Sequence, residues 1–115
     1  MVKQLTLAEL QARRAANPDL ILVEALPEKY FREWHLPHAR HLPHLEVKER
    51  AAAVLPDLAA EIVAYCASQT CQNSHTAASE LVRLGYRNVA VYPGGKKEWS
   101  EAGLPVEGET AVNAA

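Results

Sequence analysis

The sequence predicts an α/β domain built on a parallel sheet with helices covering both faces. Three apolar runs, LILVEAL at 20–26, EIVAYC at 61–66 and VAVY at 89–92, have the length of buried strands and lack the polar alternation of a half-exposed one. Segments of helical spacing separate these runs, and proline or glycine stands near most junctions. At 115 residues the chain has the size of a single domain, one that buries roughly two thirds of the surface its unfolded form exposes.

In chain order, Leu7, Leu10 and Ala15, with Gln11, Arg13 and Arg14 between them, form a short helix stopped by Asn17-Pro18. LILVEAL is the first buried strand. Pro27 to Trp34 reads as a helical turn opened by proline at its first position, ARHLP (39–43) as a brief strand, and LEVKERAAAVL (45–55) as a helix ended by Pro56. EIVAYC is the second strong strand and ends on Cys66. The next helix takes Asn73 or Ser74 as its N-cap, and its apolar positions Ala77, Ala78, Leu81, Val82 and Leu84 recur up to Gly85, a C′ residue. VAVY follows, and Gly94-Gly95 leads into a short helix around Lys97 to Ala102. The domain is expected over residues 1–106, with 107–115 as a flexible tail of small and polar residues.

Charge narrows the function. The net charge is −2 with both signs interspersed, so no basic face is available to neutralise phosphates or an anionic membrane. Nucleic acid and membrane are therefore not expected as partners. Glu9, Arg13 and Arg14 interrupt the N-terminal pattern, and no apolar run approaches the ~20 residues of a membrane span. The expected location is the cytoplasm. Thiols stay reduced there, so Cys66 and Cys71 point to catalysis, redox chemistry or metal binding before a permanent disulfide.

Cys66 closes a buried strand and opens a polar loop that delivers the chain to a helix, the place where open α/β sheets hold their ligands. This position predicts an accessible thiol facing main-chain N–H groups. A helix N-terminus contributes up to ~2 kcal/mol, which brings a thiol pKa of about 8.5 down to about 7 and leaves it substantially ionised near neutral pH. The loop CASQTCQNS contains no Arg or Lys. Anion stabilisation is thus expected from a nest of N–H groups, helped by Ser68, Thr70, Gln72 or Asn73.

The ordered set of segments LILVEALPEKYFREWHLPHARHLP and IVAYCASQTCQNSHTAASELVRLGYRNVAVYPGGKKEWSEAGLPV resembles the single-domain rhodanese-like proteins. The likeness covers about residues 5–106 and includes that family's "GHIPGA" segment, active-site loop, "LGY.NV.V" strand and "GG...W...GLPV" ending. It implies a three-layer rhodanese-like fold and sulfurtransferase or persulfide-carrier chemistry. Cys66 would accept a sulfane sulfur and pass it to a thiophilic acceptor, with Ala67, Ser68, Gln69, Thr70, Cys71, Gln72 and Asn73 wrapped around the terminal sulfur. The implied partners are a small donor such as thiosulfate or a persulfide and a thiol acceptor, small or protein, and no cofactor is implied. Many members carry Asp-Val-Arg where this chain has Glu24, Ala25 and Leu26, which changes the polar contacts near the site. The loop is about two residues longer than the common short form and resembles a subgroup with a second loop cysteine.

Neighbouring chemistries fit less well. A cysteine phosphatase requires an arginine six positions after its nucleophile to grip phosphate oxygens, and position 72 is Gln. A thioredoxin-type exchanger favours Cys-x-x-Cys, whereas four residues separate Cys66 from Cys71. Cys71 either fills a turn or acts as a resolving thiol, the latter requiring a Cα separation under ~7 Å. The alternative to an enzyme is accordingly a redox-sensing or binding module that toggles a Cys66/Cys71 dithiol and disulfide. His35, His38, His41 and His44 recur every third residue, but Pro37 and Pro43 break any helix that would align them, so no metal site is expected. His35 is expected to fix the loop, as the resemblance implies, with the others solvated. His75, in the first turn after the loop, is an auxiliary candidate, as is Glu24. Trp34 and Trp99 are expected to seal the core, and Gly94-Gly95 to supply backbone conformations denied to other residues.

Overall fold

A computed structural model describes residues 2–110. Its elements run β1 (Lys3–Gln4), α1 (Leu7–Ala16), β2 (Ile21–Glu24), α2 (Glu28–Glu33), β3 (Arg40–His41), α3 (Val47–Val54), β4 (Ile62–Tyr65), α4 (Asn73–Arg83), β5 (Val89–Tyr92) and α5 (Gly95–Glu101). The five strands form one parallel sheet in the order β1-β5-β4-β2-β3. The expected α/β class, a parallel sheet covered by helices on both faces, is what the fold shows.

Each strand sends alternate side chains to opposite faces. Val23, Ala25 and Ile62 pack with Val47, Ala51 and Leu55 near α3 and with Ala77 and Leu81 of α4. Leu22, Val63, Tyr65 and Tyr92 pack on the other face with Leu10 of α1, Phe31 of α2 and Trp99 of α5. Trp99 is sealed in as expected, its Nε1 donating to the Pro105 carbonyl at 2.9 Å. Thr6 and Glu9 close a reciprocal capping box on α1, at 3.1 and 2.9 Å. Gly85, at φ +99°, is the C′ residue of α4.

Several local expectations change. Pro27 caps α2 rather than forming its first turn. Val82 and Leu84, grouped with the apolar stripe of α4, are 49% and 37% exposed, because the stripe that meets the sheet is Ala77, Ala78 and Leu81. The tail read as flexible from 107 is docked through 110. Glu107 pairs with His35 by two main-chain bonds of 2.7 and 2.9 Å, and the N–H groups of Glu109 and Thr110 donate to Arg32 and Glu33 carbonyls. The remainder of that tail, 111–115, lies outside the described residues. No helix among the described residues is long and apolar enough to cross a membrane.

One polar cluster lies inside the sheet-helix interface. Glu24, wholly buried at the end of β2, accepts the Tyr65 hydroxyl at 2.8 Å and the Lys96 ammonium at 3.0 Å. Lys96, itself buried, also donates to the Tyr30 carbonyl at 2.8 Å and sits 4.8 Å over the Trp34 ring. Desolvation raises the Glu24 carboxyl above its usual range and lowers the Lys96 ammonium below its own, with their mutual attraction opposing both. Removing one partner of such a pair strands a charge, whereas replacing both is tolerated. Lys96→Met is expected to cost about 3–5 kcal/mol of unfolding free energy at neutral pH. Because burial raises the Glu24 pKa, its protonation removes the stranded charge, so the deficit should shrink as pH falls through the carboxylate range. Glu24→Gln combined with Lys96→Met keeps an acceptor for Tyr65 and should regain most of the loss. Urea titrations at two pH values check all three statements.

Candidate active site

The site grows from the register of two central strands. Glu24 pairs with Tyr65 across β2 and β4, so Cys66 is the first residue past the sheet and projects to the face opposite Tyr65. There its Sγ lies 3.4 Å from the Ser74 hydroxyl in the first turn of α4 and 3.4 Å from the Cys71 carbonyl. Cys66 is 1% exposed and Cys71 is half-buried, and both are free thiols. The accessible thiol expected at a strand end is thus a covered one, because the loop folds back over it.

Burial pushes the Cys66 thiol above the ordinary cysteine value, and the neighbouring Cys71 thiol pushes it further. The Ser74 hydroxyl and main-chain N–H act in the opposite sense without cancelling the rise. The thiol expected to be lowered by the start of the helix is instead raised, with loss of water around the sulfur the largest cause.

The loop residues are divided in their roles. Cys71 N–H donates to the Ser68 carbonyl at 3.0 Å, which closes a turn and withdraws that donor from an anion cradle. Ser68 and Thr70 hydroxyls bond to each other at 3.2 Å. Gln72 is the N-cap residue of α4 with no side-chain cap bond, and Asn73 and Ser74 are already helical rather than capping it. The loop's carbonyl side is held by the start of α5: Lys96 N–H donates to Cys66 O at 2.9 Å and Lys97 N–H to Ala67 O at 2.8 Å. A Cβ at Gly95, whose φ is +62°, would strike the Cys66 carbonyl oxygen, so only glycine permits this approach. Gly94 has ordinary helical angles, and its lack of a side chain makes room for the Glu98 carboxylate, which accepts the Tyr92 hydroxyl at 2.8 Å.

Ser68, Gln69 and Thr70 line an open cleft of about 320 Å³ together with Gly94, Lys97, Glu98 and Glu101. The fold thereby brings a cation, Lys97, beside a loop that has none of its own. Glu24, read as an auxiliary, lies on the opposite face of the sheet from the Cys66 thiol and meets Lys96 instead. His75 stands in the first turn of α4, but the hydroxyl that meets the thiol is that of Ser74. His35 stacks on Phe31 at 3.9 Å and ties the α2–β3 connection to Glu107, away from the 67–73 loop. The other histidines are not simply solvated: His41 Nε2 contacts the Leu26 carbonyl at 2.7 Å, and His44 Nδ1 is buried without a hydrogen-bond partner among the described residues. No group of three or more His, Cys, Asp or Glu converges as a metal site among the described residues.

Ser74, Lys96 and Lys97 are the site groups that sequence reasoning did not find. Ser74 was visible only as a capping candidate. The signal for Lys96 was an acidic residue, Glu24, inside an apolar strand, since a buried carboxylate requires a partner.

The Rhodanese-like domain profile matches residues 6–102. The chain is 35% identical over 103 residues to the HTH-type transcriptional regulator Rv0324 of Mycobacterium tuberculosis, covering 90% of this chain but only 44% of that protein. It is 28% identical over 106 residues to a sulfurtransferase of Allochromatium vinosum, covering 92% and 95% of the two chains. The crystal structure of BH2092 protein from Bacillus halodurans superposes with a TM-score of 0.85 at 24% identity, over 98% of this chain and 82% of that one. A profile that spans four of the five strands and all five helices leaves one assignment: the chain belongs to the rhodanese-like domain family.

Proposed function

We propose that the protein is a sulfurtransferase or persulfide carrier that works through Cys66. The observation that carries this reading is a cysteine at the carboxyl end of the central strand, covered by its own loop and met by the first turn of α4. Membership in the family and the resemblance to a sulfurtransferase over nearly its full length support it. The Cys66 thiolate attacks the sulfane sulfur of a donor; with thiosulfate, the S–S bond breaks, sulfite leaves with the electron pair, and Cys66 holds the transferred sulfur as a persulfide. An acceptor thiolate then attacks the terminal sulfur and releases the Cys66 thiolate. The donor is a small sulfane-sulfur compound, the acceptor is a thiol, and the setting is cytoplasmic. Loop N–H groups with Ser68, Gln69 and Thr70 surround the added sulfur, and Lys97 attracts an anionic donor to the cleft.

A second reading, a Cys66/Cys71 dithiol switch that a partner reads through loop shape, draws on the influence of the Cys71 thiol on Cys66. The transcriptional regulator of which this chain spans 44% is a precedent for such a domain beside another.

Intact-mass measurement separates the two. Sulfane donor should add one sulfur to the wild type and to Cys71→Ala, and none to Cys66→Ser, whose hydroxyl cannot form a persulfide. Loss of two hydrogens on mild oxidation, with no sulfur gained from any donor, would favour the switch. Cys71→Ala should keep at least about a tenth of the transfer rate, because a resolving thiol acts only on sulfur already loaded.

The pH dependence follows from the direction of the Cys66 shift. A thiol raised above its ordinary value is neutral at pH 7 and ionises only at higher pH. The loading rate should therefore climb with pH and reach its midpoint above that of an unburied cysteine thiol. A plateau already reached at pH 7 would show that the loop opens and hydrates the sulfur before it reacts.

A further inference from the structure

We propose that the buried Glu24–Lys96 pair positions the Cys66 loop, holding it closed over the thiol through the main chain of Lys96. The inference rests on the reading of Cys66 as the reactive thiol and extends it to two residues on the other face of the sheet.

Lys96 is fixed from both of its ends. Its ammonium donates to Glu24 at 3.0 Å and to the Tyr30 carbonyl at 2.8 Å, and it lies over Trp34. Its main-chain N–H donates to the Cys66 carbonyl at 2.9 Å, and the next N–H, that of Lys97, donates to Ala67. The side chain thus anchors to β2 and α2 while the backbone grips the first two carbonyls of the reactive loop. Gly95 brings the two segments so close that no side chain fits between them.

Glu24 cannot act on the sulfur directly. Its carboxylate shares the Tyr65 side of the sheet, and the Cys66 Sγ points to Ser74 on the α4 side. Coupling must pass from carboxylate to ammonium, through one residue's covalent frame, to the carbonyl of Cys66. A buried pair of this kind is weak evidence for stability as such, because apolar replacements hold a core equally well. Its geometric fixity, with Glu24 held by Tyr65 and Lys96 held by three groups, is what an apolar pair does not reproduce. Glu24 and Lys96 are positioning residues, and neither touches the reacting atoms.

The test uses Cys71→Ala protein, in which Cys66 is the single thiol, and iodoacetamide as a neutral probe of its exposure. Glu24→Gln with Lys96→Met, added to that background, should leave a cooperative thermal transition and raise the Cys66 alkylation rate about tenfold. The midpoint of the alkylation pH profile should move down, since an opened loop hydrates the sulfur. Lys96→Arg keeps charge and reach and should stay close to the parent. A pair that only stabilised the core would change the melting temperature and leave alkylation of native molecules as it was. An unchanged or slower alkylation rate in the folded double variant overturns the proposal. If that variant does not fold, Glu24→Asp, which withdraws the carboxylate by one methylene, replaces it and must accelerate alkylation; no acceleration overturns the proposal equally. Persulfide loading is followed in parallel by mass. A parent protein that takes no sulfur from any donor refutes the sulfur-carrier reading, while the alkylation rates still decide the positioning role.

Discussion

A carboxylate buried at the end of a central strand constrains much of what packs around it. Glu24 has no exposed surface, and an ionised carboxylate in that setting persists only with partners that replace water. Tyr65 and Lys96 are those partners. The requirement for Lys96 fixes where α5 begins. That in turn demands glycine at 95, where a side chain would collide with Cys66. The same lysine covers Trp34, next to the His35 backbone that receives the C-terminal segment. Glu24 is thereby tied, through Lys96, to the Cys66 loop, to α2 and to the segment that receives residues 107–110.

The thiol itself is governed by an opposition of two magnitudes. A helix end contributes up to ~2 kcal/mol toward the anion, whereas taking a sulfur out of water shifts it the other way by an amount that grows with burial. The direction of the Cys66 shift shows burial prevailing. Such a thiol is covered at rest, and its burial disfavours the anion. Hydrating the sulfur requires the loop that covers it to move, and the hold of α5 on the Cys66 and Ala67 carbonyls opposes that movement.

Much of the fold was legible in the sequence because burial on both faces leaves a continuous apolar signature. β2, β4 and β5 announced themselves in that way, and α1 and α4 by their spacing and stop residues. β1 did not. Two exposed residues at a sheet edge, Lys3 and Gln4, carry no pattern, and only their parallel pairing with Ala90 and Val91 makes them a strand. The strand-end position of Cys66 was legible, but its burial was not, since exposure depends on how the loop folds back and not on the polarity of its residues. Lys96 was missed for a related reason. A lysine after two glycines reads as surface, and only the three-dimensional meeting of β2 with α5 gives it a buried partner. The docking of 107–110 was invisible because its main-chain pairing uses groups every sequence possesses equally, and its side-chain contacts, Arg32 to Glu109 and Thr110 to the Glu33 carbonyl, join residues far apart in the chain.

The second cysteine is held by the same main-chain logic. Cys71 presents its carbonyl to the Cys66 sulfur at 3.4 Å, and its N–H closes a turn onto Ser68 at 3.0 Å. A disulfide between the two requires the favoured torsion about the S–S bond, and reaching it draws on a loop whose first two carbonyls are bound to α5. On the proposed carrier reading, transfer to an external acceptor would make a smaller demand, because the added sulfur would extend from Cys66 without rearranging Cys71. Proximity within the loop eases a disulfide and rigidity of the loop opposes it, and the hydrogen bonds from Lys96 and Lys97 to the Cys66 and Ala67 carbonyls add to that rigidity.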